Sequence, residues 1–541
     1  MQTYVAVLRG IDVRGDTPMI VNQLPRLPLT QRLFFSTAIF CVILVLALSL
    51  ASCSKKADPN TLVMLIESSP TNLDPRIGVD AFSERIDSLI FDDMLTRGDN
   101  LNVAPGLAES WEIPDPLTYI FHLHHGVTFH DGRPLTSRDV KWTFDSLMQG
   151  KVHSAKAGTY RYVDHIETPD DFTVTFRMKE PDAALLWNMS DGAIGIVPYG
   201  SGNEMTTHPV GSGPFKFVSA ETDKEVILER NGNYWGEKPK LARVRFAVVP
   251  DATTEALELR KGTGDISINS LTPDTVVTLQ REPFLAVEHS PGTEIQYLGF
   301  NLRDPILKDV RVRQAIAYAL NRTPMIRYLL NGWAQPARSI LPPQSWAYDG
   351  DVPAYDHDPE KARQLLDAAG YPLVNGLRFH LIMKTSTVES TRLMVAVMQQ
   401  QLREVGIVLD IRSFESATFM ADVTHGAFQM YGLRWVGGNE DPDIFYVFHS
   451  SRFPPNGANR GFYRNKKVDE LIDQARRSTD PKVRKPIYAE VQQIVANELP
   501  YIDLWYLDNV LVHNKRVRNI ELNPAGNYDF LRTAELATKD N

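Results

Sequence analysis

"LRFHLIMKTSTVESTRLMVAVMQQQLREVGIVLDIR", residues 377–412, decides the fold class. "LRFHLIMKT" (377–385) reads as a strand, residues 388–405 as a helix that Gly406 stops, and "IVLDIR" (407–412) as a second strand. A strand, a crossover helix and a strand make a βαβ unit, so a parallel pair with a right-handed crossover is expected. Just upstream, "DPEKARQLLDAAG" (358–370) has Asp358 at the N-cap, Pro359 at the first helical position and Gly370 at the stop. Ala362, Leu365, Leu366 and Ala369 give that helix one apolar face. This grammar is α/β.

The same alternation extends toward the N-terminus. "TLVMLI" (61–66) reads as a buried strand, and "DFTVTFRM" (171–178) and "RVRFAVVP" (243–250) as further strands. "DATTEALELRKG" (251–262) reads as a helix with Asp251 as its N-cap and Gly262 past its end. "TYIFHLHHGVTF" (118–129) alternates, with Tyr119, Phe121 and Leu123 on one face and Ile120, His122 and His124 on the other. Its core, "FHLHHGVTFHD" (121–131), holds four histidines and an aspartate. His122 and His124 share a face and are spaced to chelate, but a zinc site needs a closed ligand set with supporting partners. No H-E-x-x-H occurs. The stretch is expected to be a strand and a turn, followed by a helix in "PLTSRDVKWTF" (134–144) that Ser137 caps. No metal and no cofactor is implied.

The 541 residues, 43% hydrophobic and 23% charged, suit a globular protein of two or more lobes. The formal net charge of -9 argues against nucleic acid, whose phosphates must be met by Lys and Arg. Cys41 and Cys53 are the two cysteines, so nothing downstream can form a disulfide. Arg26 and Arg32 precede "LFFSTAIFCVILVLALSL" (33–50), a secretory pattern. "LASC" (50–53) resembles a bacterial lipobox, in which the chain is cut before a cysteine that then receives lipid. Residues 1–52 are therefore expected to be a signal peptide, and 53–60 the lipidated Cys53 with its tether. Residues 1–18 precede a usual signal start, which makes Met19 a second possible initiator. The other reading is an uncleaved anchor with an incidental cysteine. Either way the body is expected outside the cytoplasmic membrane, in the periplasm or on the outer face, and tethered.

Set in order, the segments resemble a known family. "SSPTNLDPR" (68–76), "LAESWEIPDPLTYIFHLHHGVTFHDGRPLTSRDVKWTFD" (107–145), "VGSGPFKF" (210–217), "NYWGEKPKLARVRFAVVPD" (233–251), "GTGDI" (262–266), "FNLRDPILKDVRVRQAIAYALNR" (300–322), "GFYRNKKVDELIDQA" (461–475) and "YAEVQQIVANELPYIDLW" (488–505) follow one another as in the extracellular solute-binding proteins of family 5. These are the peptide/nickel/opine class of receptors of bacterial ABC importers. The resemblance implies a two-lobed periplasmic-binding-protein fold with an extra subdomain in lobe one. Lobe one would be residues 61–298 with 508–541, its extra subdomain about 82–205, and lobe two 299–507. The strands crossing between the lobes would lie near 297–301 and 504–510.

The resemblance also points to "LRWVGGNEDPDIFYVF" (433–448) as pocket. In peptide-binding relatives a Trp here is followed by an Asp that takes the peptide's amino terminus, since a buried ammonium needs a partner. Aligned on Trp435 and on Asp441-Pro442, that Asp position is Gly438. Glu440 or Asp441 would substitute if the loop shifts. Alternatively the ligand has no free amine there, or is not a peptide. Trp435 is expected as a pocket wall, Val436, Gly437, Gly438 and Asn439 as backbone and amide groups, and Pro70, Thr71 and Asn72 as the opposite lip. The implied partners are a peptide or other small solute, two permease subunits and, through them, ATPases, because this chain carries no phosphate loop. A monomer is expected. Two other classes stand beside this one. A ligand-binding sensor has the same sequence features, and an envelope hydrolase would need chemistry for which no G-x-S-x-G is present.

Overall fold

A computed structural model describes residues 59–98, 101–190, 194–437, 441–455 and 457–537. The proposed signal segment and Cys53 lie outside the described residues.

The main sheet has eleven strands, numbered here in chain order: β1 (Thr61–Ile66), β2 (Phe215–Glu221), β3 (Glu225–Arg230), β4 (Arg243–Val248), β5 (Ile266–Ile268), β6 (Leu285–Phe300), β7 (Ala334–Pro336), β8 (Phe379–Ser386), β9 (Ile407–Phe414), β10 (Met430–Trp435) and β11 (Tyr501–Asn514). Their spatial order is β9-β8-β10-β6-β11-β5-β1-β4-β3-β2, with β7 also on β11. β1 lies between two parallel neighbours, β4 and β5, which explains why all six of its residues are buried. The βαβ unit forms as its sequence predicts. β8 and β9 pair in parallel from Phe379 opposite Ile407 to Ser386 opposite Phe414. The helix between them, Glu389–Glu404, buries Met394, Val395, Met398 and Leu402. The next helix upstream, Pro359–Ala368, starts where the Asp358 carboxylate accepts the Lys361 amide at 2.9 Å.

β6 and β11 join the two halves of this sheet. They pair antiparallel from Leu285 opposite Asn514 to Gly299 opposite Tyr501. The register shifts twice, between Pro291, opposite Asp508, and Ile295, opposite Tyr506, and again between Gln296, opposite Trp505, and Tyr297, opposite Asp503. Gly292 sits in the first break, where a Cβ would run into the Leu507 carbonyl. Before the break β6 accompanies the part of β11 that pairs with β5; after it, Ile295–Phe300 pairs with β10. Each half has its own core. One gathers Leu62, Met64, Phe215 and Phe246, and the other Leu298, Ile316, Leu381 and Leu409.

A separate four-stranded antiparallel sheet, Ala108–Asp115, Thr118–Leu123, Thr173–Met178 and Val163–Asp170 in that order of pairing, has its own core. Tyr119, Phe121 and Leu123 are inside, as the alternation predicts. The strand stops at Leu123, however, because the next amide, His124, bonds to Leu107 and the chain turns at Gly126 with φ +77°. Ser137 is not the cap of the following helix. Thr136 is, its amide and hydroxyl donating to Asp139 at 2.8 and 3.0 Å, and Ser137 opens the helix with its hydroxyl on the Asp170 carbonyl. The four histidines go four ways. His122 faces Glu112, His124 lies against Trp235, and His125 stacks on Phe172. The His130 ring bonds to the Gly213 carbonyl, and burial pulls its pKa down to about 4.

Two of the segments quoted above meet on Asp92. Its carboxylate accepts from Ser212 at 2.8 Å and from Tyr234 and Trp235 at 2.9 Å each. One buried acid thus ties "VGSGPFKF" and "NYWGEKPK" to the end of helix Ala81–Ile90.

Asp503, on β11, has a buried carboxyl oxygen without a hydrogen-bond partner among the described residues. Burial raises its pKa to about 7, with Arg322 pulling the other way. Because the folded value exceeds the unfolded one, this residue's favourable contribution is complete below about pH 4 and is lost as pH rises through about 7. The unfolding free energy of Asp503→Asn should therefore gain on that of the native chain between those pH values, by roughly 4 kcal/mol at most. Urea titrations at pH 4.5, 6 and 8 measure it; a constant difference would contradict it.

Candidate ligand-binding site

A cavity of about 380 Å³ opens between the subdomain and the segment after β10. That is the size of a small-solute site, whereas the cavity beside Asp503 is about 30 Å³, the room of one water. Arg97, Ala184, Trp187 and Asn188 line it from the subdomain. Asp441, Asp443, Ile444, Tyr446, Val447, Arg452 and Ala458 line it from the other side.

The second wall is a short 3-10 turn, Pro442–Phe448. Asp441 caps it, accepting the Asp443 amide at 2.7 Å, with Pro442 at the first position where no amide hydrogen is needed. The Asp441 carboxylate is held from the far side by Arg484, whose two terminal nitrogens reach its two oxygens at 3.1 and 3.4 Å. Both residues are buried, at 7% and 2% exposure. Burial alone would lower the Arg484 pKa; the Asp441 carboxylate outweighs it and raises the pKa above the ordinary value. Asp443 is likewise taken, accepting from Arg476 and, at 3.3 Å, from the Tyr488 hydroxyl.

Arg476 also bridges the two sides. Its guanidinium lies 3.7 Å from Asp182 and 4.2 Å over the Tyr446 ring, and its carbonyl accepts the Ala183 amide at 3.2 Å. Burial works against that charge, and Asp443 and Asp182 more than compensate, so its pKa rises. The subdomain is thus clasped to the helix Lys466–Ala475 through the residue that follows it.

Of the residues singled out in the sequence, Asp441 lines the cavity. Its carboxylate is already paired, so an incoming ammonium would have to displace Arg484. Trp435 ends β10, stacked on Tyr297 at 6.1 Å and 15°, and is not among the residues that line the cavity. Val436 is exposed, and Gly437 takes φ +67° in open space. Gly438, Asn439 and Glu440 lie outside the described residues. Pro70, Thr71 and Asn72 follow β1 and brace its loop: Thr71 donates to Asp80, and Asn72 accepts the Asp74 amide at 2.9 Å. Sequence reading missed Trp187 and Arg452, and did not single out Tyr446 within the stretch 433–448. Trp187 opens a 3-10 turn, Trp187–Met189, after the last strand of the four-stranded sheet, and its neighbours carry no motif.

The profile of "Bacterial extracellular solute-binding proteins, family 5 Middle" matches residues 102–455, more than half of the chain, and the chain belongs to that family. The dipeptide-binding protein of Escherichia coli (strain K12) is 28% identical over 522 residues, covering 90% of this chain and 97% of that one. Heme-binding protein A of Haemophilus influenzae is 28% identical over 511 residues, covering 88% and 92%. The ABC transporter-associated periplasmic binding protein of Helicobacter pylori, solved with the peptide STSA, superposes with a TM-score of 0.72 at 27% identity, covering 88% and 98%. The fold is the two-lobed α/β fold of periplasmic binding proteins, and the family is one of binding proteins, not enzymes. Among the described residues no helix is long and apolar enough to cross a membrane.

Arg484→Met strands the buried Asp441 carboxylate. It should cost about 3–5 kcal/mol of stability, and the double variant Arg484→Met with Asp441→Asn should recover much of it. Chemical denaturation of the three variants measures the coupling; an unrecovered double variant would refute the pairing argument.

Proposed function

We propose that this chain is the substrate-binding lipoprotein of an ABC importer, capturing a peptide or related small solute and passing it to a membrane permease driven by ATPases on other chains. Family membership supports the class. The observation that carries the reading is the cavity of about 380 Å³, with Trp187 on one wall, Tyr446 on the other and Arg476 bridging to Asp182 beside it. We take the lobes as residues 61–298 with 508–541, and 299–507, with residues of about 82–205 as the extra subdomain. The break at Pro291–Ile295 would be where the β6–β11 pair flexes. Trp435 would serve as a wall next to Ala458, and the receptor would act as a monomer.

Native mass spectrometry of gently purified protein, before and after mild denaturation, tests the reading. A set of short peptide masses would support peptide capture, and a single non-peptide mass would support a different solute. A protein that never carries cargo and binds none from peptide mixtures would oppose it. With a ligand in hand, Trp435→Ala should weaken binding more than tenfold, about 1.4 kcal/mol or more, while shifting the unfolding midpoint less than Tyr297→Ala does. Unchanged affinity would move the pocket elsewhere.

The lipid anchor has its own test. Cys53→Ser should abolish incorporation of labelled palmitate and move the protein from the membrane to the soluble fraction. An unchanged membrane fraction would favour an uncleaved anchor.

A further inference from the structure

The acids that line the cavity are both committed. Asp441 is paired with Arg484, and Asp443 accepts from Arg476 and Tyr488. The other two charged residues of the lining are Arg97 and Arg452. Among the described residues, therefore, no carboxylate of the lining is left for an ammonium.

Aromatic walls can hold a cation without any acid, through the negative face of a ring. Here that route is occupied as well. Arg97 lies over the Trp187 ring at 5.5 Å. Arg452 lies over the Tyr446 ring at 4.9 Å and Arg476 over the same ring at 4.2 Å. A further cation brought to either ring would be repelled by the guanidinium already there.

Both rings are held in place. Trp187 opens a short turn that the Ser190 hydroxyl ties by donating to the Trp187 carbonyl at 2.9 Å. Tyr446 sits in the turn Pro442–Phe448, which the Asp441–Arg484 and Asp443–Arg476 pairs fix. Ala184 on the first wall and Ile444, Val447 and Ala458 on the second add apolar surface.

A cavity of about 380 Å³ with two fixed rings, apolar neighbours and no partner for a positive charge selects for one chemistry. We infer that Trp187 and Tyr446 form a slot for an aromatic group of the solute that carries no positive charge, and that Arg97 and Arg452 keep cationic groups out of it. An aromatic group gains more on such walls than its buried area alone supplies, because ring faces and edges of opposite sign meet. Walls that are already ordered also lose little freedom when it binds. This deepens the reading of the chain as a solute receptor and rests on it. It adds which part of the solute the cavity holds and which charge it refuses.

The probes are 4-fluorobenzamide and 4-fluorobenzamidine, which share a ring and a size and differ in charge, the second being a cation at neutral pH. Their binding to the purified full-length chain is followed by fluorine NMR. The amide should bind in the millimolar range expected of so small a molecule, and the amidine about tenfold more weakly or less. Trp187→Leu, which keeps an apolar side chain but loses the ring, should weaken the amide about fivefold. If that variant does not fold, Tyr446→Leu on the opposite wall takes its place with the same expectation. Arg452→Gln should narrow the gap between the two probes. No binding of the amide to the native chain, an amidine that binds as well as the amide, or an affinity for the amide that loss of the ring leaves intact would overturn the inference. A gap that Arg452→Gln leaves unchanged would overturn the role given to the arginines. The readout needs no cargo, so a receptor that carries cargo but binds neither probe refutes the slot alone. Binding of the amide by a chain that never carries cargo leaves the slot standing and opposes the receptor reading.

Discussion

The main sheet of this protein is continuous through one pair of strands. β6 and β11 are hydrogen-bonded to each other along most of their length, and all the ladder bonds between the two halves of the sheet run through them. The pair must satisfy two opposed demands. Within each half it has to be a regular ladder, because its residues are part of a packed core: Leu285, Val512 and Leu511 on one side, Leu298, Ile502 and Leu504 on the other. Between the halves regularity would only add stiffness. The register break at Pro291–Ile295 meets both demands. Proline has no amide hydrogen to give, glycine fills the closest approach, and a further shift between Gln296 and Tyr297 follows beside the second core. A hinge motion needs a few residues that absorb the change while the packed bodies stay rigid, and in the proposed receptor these residues would serve as such a place.

How much of this was legible in the sequence depends on the reach of the interaction concerned. β1, the helix Pro359–Ala368 and the β8–helix–β9 unit are set by periodicity and by caps within a few residues, and each formed where local chemistry placed it. The errors were also local but one residue deep. Thr136 took the cap predicted for Ser137 because Asp139 is three residues after Thr136, the spacing that lets the acid reach back. The strand from Thr118 ended at Leu123 because the Leu107 carbonyl captured the next amide. The site was less legible. Asp441 looked like a substitute for a missing amine anchor, and its commitment to Arg484, forty-three residues on, leaves no mark in the sequence near it. Trp187 and Tyr446 face one cavity from opposite walls across more than two hundred residues of chain, with no spacing rule to link them. Trp435 could be picked out only by resemblance; its stacking on Tyr297 follows from cross-strand register that no local pattern encodes.

The cavity wall is held by charges that are already paired. Two arginines, 484 and 476, each neutralise an aspartate of the cavity wall and so fix the turn Pro442–Phe448. Removing either partner leaves a largely buried charge unpaired, which is why such pairs are costly to break even when they add little net stability.

The two walls bear on how binding and closure would be coupled in a receptor of this kind. A ligand can shift an open–closed equilibrium only by as much as it prefers one state to the other. Contacts confined to one wall, however strong, would be made equally in both states and would shift nothing. Trp187 and Arg97 belong to one wall, and Tyr446 and Arg452 to the other, so a solute touching both would gain contacts only when the walls meet. Arg476, 3.7 Å from the buried Asp182 and with its carbonyl accepting the Ala183 amide, joins the same two walls through the chain's own residues, so the contacts of a solute would add to that contact instead of creating it.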